Sequence, residues 1–215
     1  MPPRWSLGRG GELLVHSAVL WTALGFVLGA VPFSVLLGRL ALGTDIRRYG
    51  DGNPGAANAW RAGSWRVGVP ATLLDYLKGA VPVGLAYLHY GVAGWAMVAV
   101  GLAPVLGHAF SPFLRGRGGK AVAASFGIWT GLTVWQGPTA LGTLFGIFWV
   151  LQVTDAWAVM LSMLAWLGCL VLGGADRVLL AIWGGDMLVL LWKHRCELQC
   201  RPRLNRPRLP FRRSQ

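Results

Sequence analysis

The sequence predicts an all-α integral membrane protein with about seven transmembrane helices. Of its 215 residues, 54% are hydrophobic and only 13% are charged, which is too apolar for a soluble domain of this length. The apolar residues form long runs separated by short polar segments, and such runs predict helices that span a bilayer. We therefore expect a single polytopic membrane domain over residues 1–195. A basic, disordered cytoplasmic tail is expected over residues 196–215.

Seven apolar runs follow one another along the chain. The predicted spans cover residues 13–42, 67–90, 91–110, 120–136, 138–153, 155–173 and 177–193. The first run is interrupted by Gly25, Gly29 and Pro32, so an extra turn or a kink is expected there. The four-residue spacing of Gly25 and Gly29 also fits close packing against another helix.

The positive charge of the chain lies mainly between the spans. The net charge is +12, and eight of the 20 Lys and Arg residues follow Trp192. With seven spans, the loops over residues 45–66 and 111–120 fall on the same side as the C-terminal tail. The positive-inside rule places that side in the cytoplasm and the N-terminus outside. This distribution predicts membrane lipid as a partner, and no nucleic acid. The oligomeric state stays open.

The first polar loop contains the most specified stretch of the chain, which reads DIRRYGDGNPGAANAWR over residues 45–61. Arg47 supplies a fixed positive charge that suits oxyanions. Asn53 and Asn58 offer amide donors and acceptors, and Gly55 lets the backbone approach a ligand closely. Together they predict an anion site. The alternative is a cytoplasmic turn whose arginines only set the topology.

The second predicted span carries an ion pair. Asp75 and Lys78 are three residues apart, so they share a face of a helix and can pair. Charged groups inside an apolar span are costly and often functional. The pair is thus either part of a functional site or a buried structural pair, and in both cases we expect it to face the protein interior. The third span ends near His108.

A second polar loop reads SPFLRGRGGKAVAAS over residues 111–125. Gly118 and Gly119 precede Lys120 at the expected start of a helix, where free N–H groups and the helix dipole can bind phosphate. The loop does not match a Walker A motif, and the chain has no βαβ context for one.

Cysteine and histidine do not point to a metal or a disulfide. Cys169, Cys196 and Cys200 are an odd number, and two of them lie in the basic tail. His194 with Cys196 and Cys200 gives only three ligands, whereas a structural zinc site needs four. We therefore expect no metal, no disulfide and no cofactor.

Three separated motifs, taken in order, resemble one known family. They read GAVPFSVLLGRL with DIRRYGDGNPGAAN, then LLDYLKG, then GHAFSPFLRGRGGKAVA, and they extend over residues 29–127. Their order and spacing resemble the PlsY family of acyl-phosphate:glycerol-3-phosphate acyltransferases. The resemblance implies a multi-pass enzyme of the bacterial cytoplasmic (inner) membrane. Such an enzyme transfers a fatty acyl group from acyl phosphate to the 1-hydroxyl of glycerol 3-phosphate, giving lysophosphatidic acid and phosphate in phospholipid biosynthesis.

The resemblance and the chemistry of two phosphorylated substrates together suggest the site residues. Cations and N–H donors are needed, whereas no serine or cysteine nucleophile is required because acyl phosphate is already activated. We assign catalytic roles to Lys120, Arg47 and Lys78. Substrate or phosphate binding is assigned to Asn53, Gly55, Asn58, His108, Gly118, Gly119 and His194. The His-x4-Asp pattern of other glycerolipid acyltransferases is absent, since no His is followed by Asp five positions later.

Several positions depart from the family pattern. Ala30 and Asp51 stand where serines are usual, Ala121 replaces a glycine, and Glu197 replaces an asparagine. Residues 152–160 lack the arginine and serines of the family's third motif. An alternative therefore stays open at this point, namely a catalytically inactive relative that binds phospholipid or transports a small anion.

Overall fold

The computed structural model describes residues 9–204, with side chains described from Ser17 onward. Within that range the chain forms α-helices, short helical turns and no strand. The helices are α1 (Arg9–Ala30), α2 (Phe33–Leu42), α3 (Ala56–Gly84), α4 (Ala96–Ala109), α5 (Val122–Thr133), α6 (Gln136–Leu151), α7 (Asp155–Leu172) and α8 (Arg177–His194). Each of the seven predicted spans overlaps a helix, and the first overlaps both α1 and α2. The all-α prediction is therefore confirmed.

Three of the segments are long and apolar enough to cross a membrane by themselves, namely Ser17–Leu42, Ala96–Leu114 and Asp155–Leu172. Large apolar side chains point outward along several helices. Leu40, Leu172 and Leu188 are exposed by 84%, 91% and 69%. A soluble protein rarely exposes so much contiguous apolar surface, whereas lipid-facing helices require it.

The break between α1 and α2 lies at Pro32, which cannot donate a backbone hydrogen bond. Before the break, α1 packs closely against α4. Gly29 lies against the backbone of Pro104, and Gly107 lies against the backbone carbonyl of Phe26. A side chain at either glycine would overlap the facing backbone, so the predicted close packing of this glycine-containing helix is confirmed.

Helix α3 begins earlier than the sequence predicted. It starts at Ala56 rather than at residue 67, and it kinks at Gly63 and Ser64, where Ser64 has a φ of 52°. The ring of Trp60 lies against Gly68, and its Nε1 donates to Thr72 Oγ1 at 3.0 Å. These contacts hold the first turns of α3 against the rest of the helix, so the polar loop is shorter than expected.

A buried polar cluster joins α5 to α8. Asp186 is fully buried and accepts hydrogen bonds from Ser125 Oγ at 2.6 Å and from Trp129 Nε1 at 3.1 Å. Both carboxylate oxygens thus have a partner, which makes the burial of this polar group tolerable.

Residues 196–204 hold a defined position, whereas the sequence predicted disorder from residue 196. Trp157 Nε1 donates to the carbonyl oxygen of Cys200 at 2.7 Å, and Val153 N donates to that of Arg203 at 2.9 Å. An isolated bridge also joins Gln152 to Leu204. The corner between α6 and α7 therefore holds the start of the tail in place. The remainder of the predicted tail, residues 205–215, lies outside the described residues.

Candidate active site

Lys120 is the point at which three polar segments of the chain meet. Its Nζ donates to Asp51 Oδ2 at 2.6 Å and also to Glu197 Oε1. Asp51 lies between α2 and α3, Lys120 between α4 and α5, and Glu197 just after α8. These contacts bring both polar loops and the start of the tail together at one end of the helix bundle, as the span count predicted.

Asp51 is held in place by its own loop. Its Oδ1 accepts from Asn53 N at 3.1 Å and from Asn58 Nδ2 at 2.8 Å. Burial favours the neutral acid, but the hydrogen bonds, above all that from Lys120, lower the pKa of Asp51 to about 2. The sharp turn around it depends on Gly50 and Gly52, whose φ angles of 58° and 75° favour glycine.

The predicted amide and glycine ligands of this loop mainly build the loop itself. Asn58 is buried, and its Nδ2 donates both to Asp51 and to the carbonyl oxygen of Asn53, the latter at 2.9 Å. Both of its amide hydrogens are therefore used. Asn53 Oδ1 accepts from Gly55 N at 3.0 Å, and Gly55 precedes the first turn of α3. Asn53 lines the smaller of the two cavities described below, whereas Gly55 and Asn58 line neither of them.

Arg47 pairs with Asp45, to which its NH2 group donates at 2.6 Å. Arg39 contacts the same carboxylate at 3.0 Å. The hydrogen bond from Arg47 holds the pKa of Asp45 below its ordinary value. Arg47 lines a cavity of about 920 Å³ whose wall contains both apolar and basic residues. Its lining comprises the apolar residues Val31, Pro32, Val35, Leu36, Phe113 and Leu114, and the basic residues Arg39, Arg47, Arg115 and Arg117.

Lys120 lines a second cavity, of about 520 Å³. Its lining comprises Asp51, Gly52, Asn53, Pro54, Phe110, Gly116, Arg117, Gly118, Lys120, Trp192, Lys193, Arg195, Cys196 and Glu197. Arg117 belongs to both cavities, so the two adjoin at this residue. Within the described chain, its guanidinium group makes no hydrogen bond or ion pair.

Lys78 lies apart from both cavities. Its Nζ is 2.8 Å from Asp75 Oδ1, and each side chain is only 2% exposed. Ser34 Oγ donates to Asp75 Oδ2 at 2.7 Å, and Lys78 donates to the carbonyl oxygen of Val31 at 3.1 Å. The prediction that the pair faces the protein interior is confirmed. Because Val31 lines the larger cavity, Lys78 supports the wall of that cavity from behind.

Gly118 and Gly119 pack against His108. Gly119 N donates to the carbonyl oxygen of His108 at 3.0 Å, so this N–H group is not free for phosphate. A side chain on Gly118 would overlap the same carbonyl oxygen, and one on Gly119 would overlap the imidazole. His108 is itself buried, with Nδ1 3.8 Å from Asp75 Oδ1. The glycines therefore allow close packing of the Lys120 loop on α4.

His194 is buried at the end of α8, where its Nδ1 is 2.9 Å from the carbonyl oxygen of Leu190. It lines neither cavity. The adjacent residues Lys193 and Arg195 line the smaller cavity. Lys193 Nζ donates to the carbonyl oxygens of Ala109 and Gly118 at 2.9 and 2.8 Å. The end of α8 is thus joined directly to the glycine-rich loop.

Comparison with known proteins identifies the family. A model of the family described as glycerol-3-phosphate acyltransferase matches residues 19–200. The chain belongs to this family. A glycerol-3-phosphate acyltransferase of Thermotoga maritima is 38% identical over 189 residues, which cover 81% of this chain and 92% of that protein. One from Rubrobacter xylanophilus is also 38% identical, over 82% of this chain and 87% of its own length.

The fold is similar to that of a solved member of the glycerol-3-phosphate acyltransferase family. A crystal structure of PlsY, an integral membrane glycerol 3-phosphate acyltransferase, in its glycerol 3-phosphate form gives a TM-score of 0.77 at 28% identity. The match covers 85% of this chain and 90% of that one. Its lysophosphatidic acid form gives a TM-score of 0.76 at 26% identity, with the same coverage. These comparisons confirm an integral membrane fold.

The two cavities contain part of the predicted set. Arg47 lines one cavity, and Asn53, Gly118 and Lys120 line the other. The other predicted residues line neither cavity, namely Gly55, Asn58, Lys78, His108, Gly119 and His194. Sequence reasoning missed Arg117, although its position between two glycines of the Lys120 loop is a signal for a cation close to any bound ligand.

Proposed function

We propose that this acyltransferase moves a fatty acyl group from acyl phosphate to the 1-hydroxyl of glycerol 3-phosphate, giving lysophosphatidic acid and phosphate. The family's relatives are named for glycerol 3-phosphate, and the similar PlsY structures contain glycerol 3-phosphate or lysophosphatidic acid. The observation that carries the proposal is the pair of adjoining cavities that share Arg117. A transfer between two phosphorylated molecules needs two sites side by side with cations between them.

The larger cavity suits the acyl phosphate. Its apolar wall, formed in part by Val35, Leu36 and Phe113, matches a fatty chain, and its arginines match a phosphate group. Arg47 is already oriented by Asp45, which fixes its position before a ligand arrives. The phosphate of the donor then lies between Arg47 and Arg117.

The smaller cavity suits glycerol 3-phosphate. It offers the ammonium group of Lys120 and the guanidinium group of Arg117, and several of its lining residues are polar. Bound there, the acceptor has its phosphate next to Lys120, and its hydroxyl group faces the larger cavity. Positioning of this kind replaces a collision between two dilute reactants by a reaction within one complex.

The reaction is a direct acyl transfer. The 1-hydroxyl oxygen attacks the carbonyl carbon of the acyl phosphate and forms the ester bond, while the bond from that carbon to the phosphate oxygen breaks. Phosphate leaves with the electron pair, and the hydroxyl proton passes to phosphate or to water. Cations at the cavity junction stabilise the negative charge that develops on the carbonyl oxygen and on the leaving phosphate. We assign this role to Lys120, Arg117 and Arg47.

Membrane lipid and a bacterial inner-membrane location follow from the same proposal. The positive loops and the site share one end of the bundle, and the positive-inside rule places that end in the cytoplasm. Labelling of single cysteines introduced at positions 51 and 117 from the two sides of the membrane tests this orientation.

The alternative of an inactive lipid- or anion-binding relative finds no support in the comparisons, whose named members are acyltransferases.

Product analysis tests the proposed function. The purified protein in detergent is incubated with palmitoyl phosphate and either glycerol 3-phosphate or glycerol, and the lipids are separated and identified by mass spectrometry. We expect 1-acyl lysophosphatidic acid from glycerol 3-phosphate and no acylated glycerol. Equal transfer to both acceptors, or transfer to neither, would refute the assignment of the smaller cavity.

Replacing Arg117 by Gln is expected to raise the KM of both substrates by about ten-fold each, because an exposed charged hydrogen bond to phosphate contributes on the order of 1.4 kcal/mol. The matched control is Arg115→Gln in the same loop. Arg115 lines only the larger cavity, so this change should raise the KM of acyl phosphate alone. Steady-state kinetics with each substrate varied in turn separates the two patterns. A rise for one substrate only in Arg117→Gln would contradict the shared position.

A further inference from the structure

Two carboxylates accept hydrogen bonds from the ammonium group of Lys120, which lines the smaller cavity. Asp51 and Glu197 each accept one of its hydrogen bonds. An ammonium group has three donors, so one remains for a ligand. The cluster has one positive and two negative charges, and is therefore anionic as a whole. This is an unusual environment for the residue that is to bind a phosphate group.

The other cations of this cavity are largely engaged. Lys193 donates to two backbone carbonyls, and Arg195 donates to the carbonyl oxygen of Trp192 at 2.6 Å. Among the cavity's described cations, only Arg117 has a side chain that makes no hydrogen bond or ion pair. A phosphate group entering here would meet Arg117 and the last donor of Lys120, next to two carboxylates that repel it.

The two carboxylates are held very differently. Asp51 is fixed from its other side by Asn53 and Asn58. Glu197, in contrast, contacts Lys120 through Oε1, and its Oε2 is buried without a hydrogen-bond partner in the described chain, which is costly for a carboxylate oxygen. Its side chain is 33% exposed, and an ion pair that exposed contributes little to stability. Glu197 is thus the partner that Lys120 can release easily.

We propose that Glu197 competes with the substrate phosphate for Lys120 and thereby sets the anion affinity of the smaller cavity. In the free enzyme Glu197 accepts a hydrogen bond from the ammonium group of Lys120. When a phosphate dianion binds, Glu197 withdraws and Asp51 stays in place. The inference rests on the proposed function for the identity of the substrate, but the competition itself concerns any phosphate group. It also keeps inorganic phosphate, a product, from remaining bound at Lys120.

The test measures binding of inorganic phosphate to the purified full-length protein by calorimetry at constant ionic strength. Glu197→Gln should lower the Kd for phosphate by about ten-fold, the effect of removing one nearby charge at a partly exposed site. Product inhibition by phosphate should strengthen by the same factor. The control is Asp176→Asn, which changes the net charge equally at the opposite end of α8 from Glu197. Asparagine can replace aspartate as the N-cap that accepts from Leu179 N, so the fold should be kept and this Kd should change less than about two-fold.

An unchanged or weaker phosphate affinity in Glu197→Gln would overturn the proposal, and so would an equal tightening in Asp176→Asn. If Glu197→Gln does not fold, Glu197→Asn, a shorter neutral amide, replaces it with the same expected tightening. The proposed function and the competition between Glu197 and phosphate can be refuted independently. A wild-type protein that transfers no acyl group would refute the proposed function, while tighter phosphate binding in the glutamine variant would still support the competition.

Discussion

Replacing Lys120 by Met is expected to reduce kcat by on the order of 100-fold or more, the usual effect of removing one positioned donor to a transition state. The variant loses the ammonium group on which both polar loops and the tail meet. Phosphate release from acyl phosphate in the presence of glycerol 3-phosphate measures the effect. Thermal unfolding in detergent checks that the protein is still folded.

The variant Lys120→Arg tests whether Lys120 acts as a positioned hydrogen-bond donor or only through its positive charge. Arginine keeps the charge but changes size and geometry, so we expect a loss of about ten-fold or more in kcat. Burial disfavours the charge of Lys120, but hydrogen bonds to Asp51 and Glu197 raise its pKa above the ordinary 10.5. The lysine therefore stays protonated throughout the neutral range. Full activity of the arginine variant beside an inactive methionine variant would contradict the positioned role.

Replacing Lys78 by Met is expected to cost about 3–5 kcal/mol of stability, because it leaves the buried carboxylate of Asp75 without its charged partner. The pair is almost completely buried. For a chain of this size the melting temperature should fall by about 10 °C. Thermal unfolding in detergent, followed by tryptophan fluorescence, measures the loss.

The double variant Asp75→Asn/Lys78→Met is the control for this prediction. It removes both charges, and the introduced amide oxygen can still accept from Ser34, so most of the lost stability should return. A double variant as unstable as the single one would show that packing of the lysine stem, rather than the unpaired charge, causes the loss.

The helices could be predicted well because a bilayer demands long apolar runs, and these are visible without any knowledge of packing. Two features escaped this logic. The early start of α3 depends on the contact of Trp60 with Gly68 and Thr72 across the kink at Gly63. The ordered position of residues 196–204 depends on Trp157, which lies in another helix. Tertiary contacts of this kind leave no local pattern in a sequence.

The candidate site, too, could be predicted only in part. Glycines next to a lysine in a polar loop pointed to Lys120, which lines the smaller cavity. The sequence also singled out Asp51 and Glu197 as departures from the family pattern. It gave no sign that both contact Lys120, since they lie 69 and 77 residues away along the chain. The sequence suggested a catalytic role for Lys78 because it is a cation. In the structure Lys78 is buried behind Val31, so it supports the wall of the larger cavity instead.

The most direct test of the account is the choice of acyl donor by the purified wild-type protein. Inorganic phosphate and lysophosphatidic acid are quantified together, with glycerol 3-phosphate as acceptor and either palmitoyl phosphate or palmitoyl coenzyme A as donor. The proposed binding of the two phosphorylated substrates in adjoining cavities predicts one phosphate released for each lysophosphatidic acid formed from palmitoyl phosphate, and no product from the coenzyme A ester. Lysophosphatidic acid formed equally well from both donors would contradict the assignment of the larger cavity to acyl phosphate.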